Sequence, residues 1–164
     1  MSTRLSTIET ASGNLSWFQS LVRTNPGWGQ VALRLGLAAV IWPHGAQKLL
    51  GWFGGYGFEG TMGFLTKSGI PAPVAFLVIV GEFFAPLLLV SGFLTRFAAA
   101  SVAVIMAGAA FLVHLPNGFF VNWTGAQAGE GIEFHLLAIA LALGLVIGGA
   151  GSGSIDLRLG RSKE

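Results

Sequence analysis

No cysteine occurs among the 164 residues, and only 10% of them are charged. The first absence removes disulfides, zinc ribbons, iron–sulfur ligation, CxxC dithiols, covalent haem attachment and thiol catalysis, while leaving the redox compartment open. The second argues against a water-soluble globule, because soluble domains carry about 25% charged residues with which to cover their surface. Basic clustering is missing too. The formal net charge of +2 is not gathered into the kind of patch that engages phosphates, so nucleic acid is excluded as a partner. No glycine-rich nucleotide motif follows a strand-like segment, and no internal repeat is visible. The N-terminal stretch lacks the roughly 7–15-residue apolar core of a secretory signal.

What the chain does have is hydrocarbon: 53% of its residues are hydrophobic, with thirteen Phe and five Trp. A helix needs roughly 20 residues to cross a ~30 Å apolar layer. Four stretches qualify, at about 28–50, 71–93, 96–115 and 131–150. The expectation is an all-α integral membrane protein, an antiparallel four-helix bundle occupying residues 28–150. Residues 1–27 read as a polar cytoplasmic tail, with a short interfacial helix over Leu15 to Val22 that sets Trp17 and Phe18 at the membrane surface. Residues 151–164 read as a charged cytoplasmic tail. Leu94-Thr95 is too short to be anything but a tight hairpin between the second and third spans. A second interfacial helix is expected from Phe58 through Lys67, and Trp123 in the third loop suits headgroup depth.

Four spans put both termini on one side. That side carries Arg4, Arg23, Arg96, Arg158, Arg161 and Lys163, against Lys48 and Lys67 opposite. Basic residues concentrate on the cytoplasmic side. Both ends are therefore expected in the cytoplasm, on a multi-pass protein of the cell inner membrane.

Ionisable residues at membrane depth are costly, at least ~2.5–3.5 kcal/mol each, and mark functional or pairing sites. Glu82 lies about 16 Å into its span at 1.5 Å per residue, near the midplane. Pro86, four residues later, has no N–H to give to the Glu82 carbonyl. One position thus offers a carboxyl group and a freed backbone acceptor, suited to a proton, a cation or the hydroxyl of a quinol. The alternative is a protonated or Arg-paired glutamate that locks helices together. Arg34 is the expected partner. With His44 and Lys48 it falls within an arc of about 80° on the first span, while Gln47 points away. Lys48, close to the outer end, reads as snorkelling to the surface.

His44, His114 and His135 share one depth, with Glu133 at the same level. Imidazole beside carboxylate suits proton exchange near neutral pH. Glu133 and His135 project about 200° apart on a helix, so they cannot converge on one ion. The reading taken is a hydrogen-bonded polar lid, and no metal is assigned. Pro43 is expected to kink the first span. Ala99, Ala103 and Ala107, and the Gly144–Gly148 pair, read as helix contacts or a dimer face.

Three stretches carry a further likeness: LRLGLAAVIWPHGAQKL from Leu33 to Leu49, FGGYGFEGTMGFLTKSGIPAPVAFLVIVGEFFAPLLLVSGFLTRFAA from Phe53 to Ala99, and EFHLLAIALALGLVIGGAGSGSIDLRL from Glu133 to Leu159. With the GIPAP helix start, mid-span Glu82 and the GxxTR turn, the chain resembles the DoxX family of small four-helix membrane proteins. The resemblance implies an oxidoreductase role, as a membrane subunit passing electrons from a small reduced donor to quinone. Arg34, Lys48, Glu82, Thr95, Arg96 and Asp156 match its recurrent polar positions. On this reading the catalytic groups are Glu82, Arg34, His44 and His114, and the cofactor is held by Glu82, Arg34, Lys48, Glu133 and His135. That cofactor is a quinone, with nothing covalently bound. The partners are the lipid bilayer and either an oxidoreductase subunit or a second copy of the chain. A non-enzymatic scaffold and a small proton-linked transporter are the alternatives.

Overall fold

A computed structural model describes residues 17–161. The expectations that fall on residues 1–16 and 162–164, including the sides assigned to Arg4 and Lys163, lie outside the described residues. Everything regular in between is helical. In order, α1 spans Trp17–Val22, α2 Trp28–Leu50, α3 Gly57–Lys67, α4 Ala72–Ser91, α5 Thr95–Ala109, α6 Glu133–Gly148 and α7 Ile155–Arg161. Beyond α5 the chain continues without a break through a π-helical turn, Ala110–His114, and a 3-10 turn, Leu115–Asn117.

The long helices pack in a ring: α2 on α4, α4 on α5, α5 on α6 and α6 on α2. Their contacts show the directions. The start of α2 meets the end of α4 through Arg34 and Val90, and its end meets Glu82 through Lys48. The start of α5 likewise meets the end of α6 through Arg96 and Ile147. Leu37, Ile41, Leu89, Val102 and Leu145 fill the centre of the ring, each 1% exposed or less. Small residues let the backbones close around them, with Ala98, Ala99 and Ala142 at 0% exposure.

The outward faces are equally apolar. Leu77 is 64% exposed, Val104 72%, Leu112 71% and Ile147 78%. A water-soluble helix turns a polar stripe outward; these turn leucine and valine. Two helices are long and apolar enough to cross a membrane, Ala72–Ser91 and the continuous Thr95–Asn117. At 23 residues α2 is long enough but carries Arg34 and Lys48, while α6 has 16 residues, fewer than α2, α4 or the extended Thr95–Asn117 helix. Neither proline inside a helix interrupts it: α2 runs on through Pro43 and α4 through Pro86.

Residues 151–161 are not a free tail. Ser154 and Asp156 are each 1% exposed, and α7 packs against α1.

Candidate functional site

Glu82 occupies the middle of α4 with only 3% of its side chain exposed. Its partner is Lys48, whose ammonium donates to Glu82 Oε2. This corrects the expectation that Arg34 would neutralise Glu82 and that Lys48 would snorkel away. The reason is axial register. Arg34 and Lys48 are fourteen residues apart on α2, about 21 Å along its axis. Because α2 and α4 are antiparallel, Arg34 arrives beside Leu89 and Val90, some 10 Å beyond Glu82. Lys48 arrives at the right level.

Arg34 has a different task. Its Nη1 donates to the Leu89 and Val90 carbonyls at 3.1 and 2.6 Å, and its Nη2 to those of Ser152 and Gly153 at 3.1 and 3.2 Å. The first two belong to the last turn of α4, where the i+4 helical donors run out and the helix dipole is negative, the Leu89 carbonyl also taking the Gly92 N–H at 3.2 Å. Asp156 serves the opposite pole. Its two carboxylate oxygens accept the N–H groups of Leu94 and Thr95, at 2.8 and 2.9 Å, at the start of α5. Leu94 sits there at φ +48°, a left-handed conformation unfavourable for a branched side chain, which the carboxylate holds in place. Arg96 repeats the device on α6, donating to the carbonyls of Val146 and Ile147. These three charges seal helix ends and do not enter the cavity around Glu82. Arg34 is therefore engaged at the end of α4 and is not among the residues that line that cavity.

That cavity is a groove of about 870 Å³ between α3, α4 and α5. Its walls are Phe64 and Leu65 of α3, Val78, Gly81 and Ala85 of α4, and Ala100, Val104 and Gly108 of α5. Among the described residues, Lys48, Glu82, Ser101 and His114 are its only polar linings. Ser101 gives its hydroxyl proton to the Phe97 carbonyl at 2.9 Å. An ion pair and one imidazole remain to meet a guest in otherwise hydrocarbon surroundings.

Gly45 brings the ion pair together. A Cβ at that position would lie 2.3 Å from the Glu82 carbonyl oxygen, so only glycine lets α2 approach this closely. Trp42 and Phe83 pack alongside, their ring centroids 5.9 Å apart.

The histidines gather at the same end without forming one cluster. His114 and His135 lie against each other with centroids 4.2 Å apart and ring planes tilted by 39°. His44 is exposed, its ring 6.0 Å from Phe134. Glu133 is turned elsewhere: its Oε2 accepts the Val121 N–H at 3.0 Å and closes the loop before α6. Among the described residues no three His, Asp or Glu side chains converge as a metal site.

Residues 29–115, more than half of the chain, match the DoxX family. The chain belongs to that family, a family of membrane proteins. The DoxX match covers Arg34, Lys48, Glu82 and His114 and stops short of His135 and Asp156. No curated protein and no solved structure matches the chain.

Sequence reasoning reached Glu82, Lys48 and His114, but missed Gly45 and the π-turn that carries His114. Pro86 was the available signal for Gly45: a carbonyl without its helical donor is a place where a neighbouring backbone can come close.

Proposed function

We propose that this chain is a quinone-binding subunit of an inner-membrane oxidoreductase, crossing the bilayer four times through α2, α4, the extended α5 and α6, with both ends cytoplasmic. The outward leucines and valines support lipid as the surrounding solvent. So do exposed aromatics at both ends of the ring, Trp52, Tyr56 and Trp123 at one and Trp17, Trp28 and Phe97 at the other. Arg96 covers the last carbonyls of α6, which suits a short helix whose end lies near hydrocarbon.

The observation that carries the redox reading is the Lys48–Glu82 pair in the wall of an apolar groove. Its size is in the range that takes a small organic ligand, roughly 300–1,000 Å³. The donor set fits a quinone headgroup: an ammonium to donate to a carbonyl oxygen, and a carboxylate to accept from a hydroxyl. When bound, a quinone would supply the two-electron, two-proton chemistry. The protein's part is to hold the headgroup between Lys48 and Glu82, exclude water with the α4 and α5 side chains, and keep His114 ready to exchange protons. A chain without cysteine offers no dithiol or iron–sulfur ligation, so the electrons are assigned to a partner subunit.

Glu82→Gln tests this. Donor-driven quinone reduction in membranes should be abolished while protein abundance stays unchanged. Wild-type rates in the variant would remove Glu82 from the mechanism.

A further inference from the structure

We infer that His114 and His135 act as one unit that holds a single proton and delivers it to the groove. The inference rests on the quinone reading and adds a route for the proton. His114 is a groove residue, carried at the end of the π-helical turn Ala110–His114. Such turns are rare and are found frequently at functional sites. Its Nδ1 bonds the Glu130 carbonyl at 2.9 Å. A carbonyl only accepts, so Nδ1 carries hydrogen and Nε2 is left as the exchanging nitrogen.

His135 lies directly behind, 6% exposed, with its ring centroid 4.2 Å from that of His114. Two imidazolium rings at this separation repel, which disfavours charging both at once. His44 and Lys48 of α2 add positive potential at His135. Glu130 and Glu133 have each committed a carboxylate oxygen, to the N–H groups of Asn122 and Val121. Glu82 of α4 is paired with Lys48.

The transfer balances simply. The Nε2–H bond of His114 breaks as an O–H bond forms on a quinone-class acceptor already reduced by the partner subunit. The neutral imidazole then takes a replacement proton from water at the outer end of the groove. His135 is a positioning residue in this scheme, acting through His114.

The test uses the full-length protein in lipid nanodiscs. Nitrogen-labelled histidine is followed by NMR through a pH titration in wild type and His135→Phe, which keeps a ring against His114. In wild type the His114 signal should titrate in two steps, because it senses His135; in the variant it should titrate in one. Identical curves would overturn the unit. In parallel, His114→Ala should lower donor-driven quinone reduction by about 100-fold, with partial recovery on adding imidazole to the buffer. An unchanged rate in that variant would overturn the delivery role. Should wild type reduce no quinone at all, the route falls with the groove reading, and a two-step curve would then place the fault in the groove rather than in the pair.

Discussion

Gly45 lies against the backbone carbonyl of Glu82, the carbonyl that Pro86 leaves without its helical donor. A glycine on one helix and a proline on its neighbour thus meet at the level of the buried carboxylate. This close approach sets α2 near enough to α4 for Lys48 to reach Glu82.

Gly45→Ala should therefore be costly. The new methyl group would sit 2.3 Å from a backbone oxygen that cannot swing aside, so the helices must separate. The expected loss is about 1–3 kcal/mol, as for other overpacked sites. Gly36→Ala is the control, with nothing within 4 Å of the added carbon. It should be neutral or stabilise by up to about 1 kcal/mol, because alanine favours helix. Thermal unfolding in detergent compares the two; equal shifts would remove Gly45 from the account.

The ion pair should behave non-additively. Lys48→Met alone strands a buried carboxylate and is expected to cost about 1–3 kcal/mol. That is below the usual figure for a fully buried pair because Lys48 is 30% exposed. Adding Glu82→Gln to that variant removes the stranded charge and should return at least half of the loss. A double-mutant cycle on unfolding midpoints reads this directly. Additive losses would mean that the two groups do not feel each other.

At the opposite end, Asp156 should govern the order of the C-terminal segment. Asp156→Ala removes the acceptor for two N–H groups at the start of α5, an N-cap worth roughly 1–2 kcal/mol. Asp156→Asn keeps one acceptor oxygen and should fall between. Limited proteolysis is expected to cut the glycine-rich stretch before α7 faster in the order Asp, Asn, Ala. Equal protection in all three would show that α7 is held by other contacts.

How far the sequence could be read follows from what each signal depends on. Helical class, family membership and the first helix, Trp28–Leu50, rest on composition and local pattern, and all three were open to inspection. Glu82 was conspicuous because a carboxylate is expensive in a hydrocarbon setting. Its partner was not, because pairing depends on how far one helix is slid along another. Angular position on a wheel put Arg34, His44 and Lys48 on one stripe; only axial register shows that Lys48, not Arg34, stands level with Glu82. The segment beyond residue 150 reads as a charged tail. Asp156 is buried there because its carboxylate accepts the N–H groups of Leu94 and Thr95, far away in sequence, which no local pattern reveals. Glu133 shared a depth with the histidines, yet its carboxylate was claimed by the backbone of Val121 in its own loop.

The most direct measurement is the quinone content of the protein purified gently from its native membranes, taken by solvent extraction and mass spectrometry on wild type and Glu82→Gln side by side. The account predicts close to one quinone per chain in wild type and a loss of most of it in the variant, with both proteins folded to the same extent. Equal quinone in the two, or none in either, would contradict a headgroup held between Lys48 and Glu82.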